Sequence, residues 1–210
     1  MELTAAEPRR KSLIQLYLDG EAAVKIDTEI FVRSGLKPGD QLTDEELHQL
    51  LQASDARRAK EKALYLLEHR SHSKKELTDK IARTAASWEA AQAAADRMEE
   101  LGLLNDEAYA RDLAKELFTR RRFGKGRVRQ ELRLKGINSE LIDELLLEYD
   151  DEDMALENIR AVLDRKYAGW EEDEKVRRRA FAALQRLGYS YELIRRVFAD
   201  GKNSSRFEEL

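Results

Sequence analysis

Hydrophobic and polar positions divide the chain into a short N-terminal stretch of clustered apolar runs and a long stretch of helical periodicity. Leu13-Ile14-Gln15-Leu16-Tyr17-Leu18 and Ala22-Ala23-Val24-Lys25-Ile26 are separated by Asp19-Gly20. An Asp-Gly pair between two such runs predicts a β-hairpin, because glycine accepts the positive φ of the turn. Ile30-Phe31-Val32 fits either a third strand or one helical turn, and Leu36-Lys37-Pro38-Gly39-Asp40 has turn chemistry. Thr43 with Glu46 three residues on has capping-box form and opens a helix through Leu47, Leu50 and Leu51. This N-terminal piece is too small to hold a large core alone, so it is expected to dock on the helical stretch beyond it.

From about Asp55 onward the pattern is helical, and it repeats. Val128, Leu132, Gly136, Leu141, Ile142, Leu145 and Leu146 recur 52 residues later as Ala180, Leu184, Gly188, Leu193, Ile194, Val197 and Phe198. Moving 51 residues upstream gives Leu77, Ile81, Ala85, Ala90, Ala91, Ala94 and Ala95, so the apolar register survives while the glycine becomes an alanine. A helix precedes each copy, with apolar positions Ala59-Ala63-Leu66-Leu67, Tyr109-Leu113-Leu117-Phe118 and Ala155-Ile159-Val162-Leu163 on one face. The third copy needs about seven extra residues around Ala168–Asp173 to stay aligned. Each unit is three short helices, with glycine at a helix C-cap in the second and third. Helices of about ten residues are marginal alone, so each unit must pack on itself and its neighbours.

The predicted fold is mainly α: three tandem three-helix repeats forming an elongated, curved array, preceded by a small β-hairpin plus helix. The boundaries read as 1–54 for the N-terminal extension, 55–106, 107–152 and 153–200 for the repeats, and 201–210 for a disordered tail.

Composition narrows the chemistry. There are no cysteines, which removes disulfides, thiolate metal sites and cysteine nucleophiles and suits a reducing compartment. Charged residues make up 38% of the chain, and no run of ~18 apolar residues exists to span a bilayer. Met1–Lys11 has no apolar stretch of signal-peptide type behind it, so a cytoplasmic protein without membrane contact is expected. His48, His69 and His72 lack a carboxylate grouping that would make a metal site, so no metal and no cofactor are expected. Phosphate-loop and dinucleotide-binding motifs are absent, and no acid pair stands out for acid–base work. The chain does not read as an enzyme.

Charge distribution says more than its sum. Net charge is −4, yet residues 111–135 hold ten Lys/Arg against three acids, and residues 136–157 hold nine acids and no base. The basic segment Arg120-Arg121-Arg122-Phe123-Gly124-Lys125-Gly126-Arg127-Val128-Arg129, with Arg133 and Lys135 beyond it, lies at a helix junction in the middle repeat. Guanidinium forks bind phosphates or carboxylates bidentately, and the two glycines suggest a backbone that approaches a partner closely. Basic residues recur at Arg57, Arg58, Lys60 and Lys62 and at Lys175, Arg177, Arg178 and Arg179, which together suggest a discontinuous basic stripe. The acidic helix carrying Glu140, Asp143, Glu144 and Glu148 is expected to face elsewhere. Phe123 reads as a buried anchor, and Trp88, Trp170, Tyr189 and Tyr191 as packing residues.

Leu101-Gly102-Leu103-Leu104-Asn105-Asp106-Glu107-Ala108-Tyr109-Ala110-Arg111, followed by Gly124-Lys125-Gly126-Arg127-Val128-Arg129-Gln130-Glu131-Leu132-Arg133-Leu134-Lys135-Gly136-Ile137, resembles the RecX family of bacterial regulators of the RecA recombinase. The resemblance covers roughly Ala56 to Asp200 and is strongest in the middle repeat; Arg127 stands where the family often has proline, and Ala85 replaces the turn glycine of the first repeat. The hairpin extension is similar to that of longer, Gram-positive-type members. The lack of an obvious exposed coiled-coil seam favours a monomer. The resemblance implies an interaction protein that binds the RecA–single-stranded DNA filament and mostly inhibits its ATPase, strand-exchange and coprotease activities. It thereby implies a part in DNA repair, recombination and the SOS response, with weaker binding to single- and double-stranded DNA. Candidate contact residues are Arg120, Arg121, Arg122, Lys125, Arg127, Arg129, Arg133 and Lys135, with Arg57, Arg58, Lys175, Arg177 and Arg178 in the flanking repeats. The alternative is a free-standing DNA-binding regulator of helix-turn-helix type, although no helix shows the polar, base-reading face that role needs.

Overall fold

The computed structural model describes residues 1–207, with side chains described through Gly201. The chain forms two compact units, Met1–Asn105 and Asp106–Leu210.

In the first unit, β1 (Leu3–Arg9), β2 (Leu13–Leu18) and β3 (Glu21–Asp27) form an antiparallel sheet in that order. The Asp19-Gly20 turn has positive φ at both positions, 50° and 87°, and sets the pairing of Leu18 with Glu21 and of Leu13 with Asp27. β1 is an addition to the hairpin expected from sequence. Its Ala5, Glu7, Pro8 and Arg9 give no strong β signal, and Pro8 is tolerated because β1 lies at the edge of the sheet. The ambiguous Ile30-Phe31-Val32 lies in a helix, α1 (Thr28–Ser34), whose N–H groups at Glu29 and Ile30 donate to the Asp27 carboxylate.

Thr43 forms the expected capping box: Glu46 N donates to Thr43 Oγ1 at 3.2 Å and Thr43 N donates to Glu46 Oε2 at 2.8 Å. The helix it opens, α2 (Asp44–His69), has 26 residues and no internal glycine or proline, so it passes unbroken through the boundary expected at 54/55. The extension and the first repeat therefore share a helix. Its N-terminal half supplies Leu47, Leu50 and Leu51 to the sheet's core of Leu3, Leu16, Ile26 and Leu42. Its C-terminal half supplies Ala59 and Ala63 to a second core with Leu77 and Ile81 of α3 (Lys74–Ala82) and Ala91, Ala94, Ala95 and Met98 of α4 (Trp88–Glu100). Small side chains on α2 and α4 let these helices approach closely.

Where the first repeat lacks its turn glycine, another group takes the released donors. Asp55, buried on α2, accepts from Ala86 N at 2.7 Å and Ser87 N at 3.2 Å.

In the second unit, α5 (Asp106–Thr119), α6 (Lys125–Leu134) and α7 (Ser139–Glu148) enclose Ala110, Ala114, Leu117, Phe118, Val128, Leu132, Ile142, Leu145 and Leu146. The following α8 (Glu152–Lys166), α9 (Glu174–Arg186) and α10 (Tyr191–Phe207) enclose Leu156, Ile159, Leu163, Ala180, Leu184, Ile194, Val197 and Phe198. Gly136 and Gly188 end α6 and α9 at φ 80° and 88°, and Ile137 N and Tyr189 N reach back to Leu132 O and Leu184 O, both at 3.2 Å. The sequence period of 52 residues is thus one helix–glycine–helix turn used twice.

The extra residues of the third repeat carry Trp170, which is buried with its ring centroid 4.9 Å from that of Phe198 and covers the third core. Tyr189 is likewise buried, whereas Trp88 and Tyr191 are more than half exposed, Tyr191 still packing edge-on against Phe181 with ring centroids 5.5 Å apart. Each opens a helix, and only one side of such a position faces a core. α10 runs through Phe207, over part of the segment read as a tail, and 208–210 lie outside the described residues.

Candidate functional site

The arginine segment is a short irregular link between α5 and α6. As α5 ends, Arg120 N and Arg121 N both donate to Glu116 O, at 2.9 and 3.1 Å, and Phe123 N donates to Leu117 O at 3.0 Å. Arg122 between them has φ 53°, the left-handed conformation that ends many helices but that arginine adopts rarely. Gly124 then caps α6 without a side-chain acceptor. Its N–H donates to Leu187 O at 2.8 Å, and Gly126 N donates to Gly188 O at 3.1 Å.

The glycines are explained by that contact. A Cβ on Gly124 would lie 2.5 Å from the Gly188 carbonyl carbon and oxygen, and one on Gly188 would lie 2.1 Å from Arg127 N. The glycine pair read from sequence as an approach to an outside partner instead serves a backbone approach between the second and third repeats. Phe123 is half-buried against the second core, with the Arg127 guanidinium 5.8 Å from its ring centroid.

The cations divide into paired and unpaired groups. Lys125 pairs with Asp150, Arg127 with Glu131, Arg129 with Asp143 at 2.8 Å, and Arg121 with Glu116 at 3.4 Å. Arg111 is held by Glu148 and Glu107, which raise its already high pKa further. Two signs expected to face apart therefore meet: Asp143 and Glu148 of the acidic α7, and Asp150 just beyond it, pair with Arg129, Arg111 and Lys125. Among the described residues, Arg120, Arg122 and Arg133 have no ion pair, and Arg120 and Arg133 are exposed. Lys135, half-buried, lies at the C-cap of α6. Exposed ion pairs contribute only about 0–1 kcal/mol, so Arg121, Lys125 and Arg129 can exchange their partners for a stronger anion.

The flanking candidates are not equivalent to these. Arg57 is clamped by three carboxylates: Asp27 at 2.9 Å, Glu61 at 2.7 Å and Glu29. Asp27 is itself buried and caps α1, so Arg57 fastens the sheet to α2. Arg58 is exposed beside it. In the third repeat, Arg177 donates to Phe198 O at 3.0 Å and lies over the Phe198 ring, a packing role, whereas Arg178 pairs with Glu174 and Lys175 is exposed.

Nothing among the described residues gathers three or more His, Asp or Glu side chains in metal-binding geometry, and no helix there is long and apolar enough to cross a membrane. A cleft of about 570 Å³ opens between the second and third repeats, floored by Phe118, Phe123, Tyr149 and Leu193 and rimmed by the Lys125–Asp150 and Arg196–Glu152 pairs. Sequence reading assigned Tyr189 a packing role and missed its polar one: its hydroxyl donates to Arg122 O at 2.8 Å. The only signal was its place next to the repeated glycine.

Comparison with known proteins matches residues 105–146 to the second three-helix domain of RecX and residues 152–198 to the third. A regulatory protein RecX of Clostridioides difficile strain 630 is 28% identical over 193 residues, spanning 91% of this chain and 90% of the relative. One of Trichlorobacter lovleyi is 37% identical over 139 residues, spanning 65% of this chain and 90% of the relative. A crystal structure of regulatory protein RecX superimposes with a TM-score of 0.64 at 19% identity, covering 93% of this chain and 98% of that one.

Proposed function

The chain belongs to the RecX family, and on that premise we propose that it is a regulator that binds the RecA–single-stranded DNA filament and restrains its ATPase, strand-exchange and coprotease activities. The observation that carries this reading is the arginine segment. Arg120, Arg122 and Arg133 lie inside the stretch matched to the second RecX domain, and none of the three has an ion pair among the described residues. Guanidinium groups so placed suit a partner rich in phosphate or carboxylate, which a nucleoprotein filament is. Arg121, Lys125, Arg127 and Arg129 join the contact by leaving weak surface pairs, and Lys135 lies beside them. Within the second unit Lys175 and Arg178 extend it, Arg58 is an exposed cation of the first unit, and Arg57 and Arg177 serve the fold.

In this reading the protein acts as a cytoplasmic monomer, without catalysis or cofactor, in DNA repair, recombination and the SOS response. Bare single- or double-stranded DNA is a weaker ligand than the filament. A free-standing base-reading regulator is not favoured, because α7 exposes Glu140, Asp143, Glu144 and Glu148 rather than amide or guanidinium donors.

Titrating this protein into the cognate recombinase and following its single-stranded-DNA-dependent ATPase tests the proposal. Inhibition well below one copy per recombinase indicates blocked filament growth, and inhibition only near saturation indicates coating. An unchanged rate at every ratio refutes the reading.

A further inference from the structure

Resting on the arginine-contact reading above, we infer that the third repeat positions the arginine segment: the Leu187-Gly188-Tyr189 turn clasps the backbone from Arg122 to Gly126, and Tyr189 is a positioning residue for filament binding. Three hydrogen bonds make the clasp. Tyr189 Oη donates to Arg122 O at 2.8 Å, Gly124 N donates to Leu187 O at 2.8 Å, and Gly126 N donates to Gly188 O at 3.1 Å.

The reason they form lies in two helix ends that each lack partners. The last carbonyls of α9 and the first N–H groups of α6 have no intrahelical donor or acceptor, and Gly124 brings no capping side chain. Placed end to end, each set satisfies the other, with the C-terminal end of one helix dipole against the N-terminal end of the other. Contact at this range requires glycine on both sides, since a Cβ at either Gly124 or Gly188 would overlap the opposing backbone.

Arg122 is the consequence. Its left-handed conformation is unfavourable for a residue with a Cβ, and it is retained because the carbonyl is held by Tyr189 and the next two residues are tied into the second core and the α9–α10 turn. The directions in which Arg120, Arg121 and Arg122 leave the backbone are thereby set before any partner arrives. An arm ordered in advance loses less conformational freedom on binding than a loose one. Tyr189 suits this role because its ring is anchored in the third core while its hydroxyl reaches Arg122 O, and burial also pushes the phenol above the usual tyrosine range.

The test is binding to the cognate recombinase filament on labelled single-stranded DNA, measured over a range of salt, for wild type, Tyr189→Phe, Ile194→Val and the triple variant R120E/R121E/R122E. Ile194 is fully buried in the same repeat but makes none of the three clasp hydrogen bonds, so its variant controls for lost stability. Tyr189→Phe is expected to bind about fivefold more weakly, as one lost hydrogen bond implies, and to show a shallower dependence on salt because fewer arginines are in place. Ile194→Val should keep wild-type affinity and slope. If Tyr189→Phe matches wild type in both while the triple variant loses binding, the clasp does not position the arginines. If Ile194→Val falls as far as Tyr189→Phe, the effect is stability and the positioning role is refuted. If the triple variant itself binds like wild type, the arginine contact fails and the clasp's role falls with it.

Discussion

Arg57 and His72 show how charge and burial work inside the first unit. Arg57 lies among Asp27, Glu29 and Glu61, and Asp27 is only 3% exposed. Replacing Arg57 by Ala leaves that buried carboxylate without its ion-pair partner at 2.9 Å, and taking one partner from a buried pair costs about 3 kcal/mol or more. Arg57→Ala is therefore expected to lower stability by that much, read from the urea midpoint, while filament binding at saturating folded protein is unchanged. A normal midpoint with weakened binding would return Arg57 to the contact surface. His72 is buried, its Nδ1 3.3 Å from Glu76 Oε2. Burial lowers its pKa foremost, Arg70 and Lys80 add to that, and Glu76 opposes it. The folded chain thus prefers the neutral ring, and the unfolded chain binds the proton more readily. Stability from this source is present above the ordinary histidine value of about 6.5 and is lost as pH falls through it toward the folded value. Urea midpoints at pH 7.5 and 5.5 should show a decline that His72→Gln makes smaller; an equal decline in both proteins would remove His72 as its source.

At the scale of elements, helix ends decide most of what the sequence does locally. Thr43→Ala removes the capping box of α2 and should cost about 1 kcal/mol, read as a lower thermal or urea midpoint. Gly102 and Gly188 make a sharper pair, since both are left-handed, at φ 69° and 88°. Nothing lies within 4 Å of a Cβ built on Gly102, whereas one on Gly188 meets Arg127 N at 2.1 Å. Gly102→Ala should cost only the conformational strain, about 1–2 kcal/mol, and Gly188→Ala distinctly more. Equal losses would mean that the close approach of the repeats contributes nothing. The repeat was legible because core positions with a helical period must fall on one face: Val128, Leu132, Ile142 and Leu145 are buried where the spacing placed them, as are Ala180, Leu184, Ile194 and Val197. β1 was not, because an edge strand pairs on one side only and tolerates Pro8 and charge. The join within α2 was equally silent, since two apolar faces serving different cores read as two helices.

For the molecule as a whole, the cations were legible in the sequence but their partners were not. Ten Lys/Arg in residues 111–135 were countable. That Arg129 would meet Asp143, Lys125 meet Asp150 and Arg111 meet Glu148 depends on how α7 folds back, which no local pattern encodes. The glycines of the arginine segment were visible too, yet their purpose lies with a turn more than sixty residues away. With the pairs drawn, a smaller set of cations without an ion pair among the described residues is left: Arg120 and Arg122 just before α6, and Arg133 in its last turn. The most direct measurement of their role is inhibition of the cognate recombinase's DNA-dependent ATPase by wild type and by R120E/R122E/R133E, with helical content checked by circular dichroism. The wild-type protein should inhibit, and the variant should need about tenfold more protein for the same effect, at unchanged helicity. Inhibition by the variant at wild-type concentrations would contradict the assignment of these arginines, and a wild-type protein that leaves the rate unchanged would contradict the function.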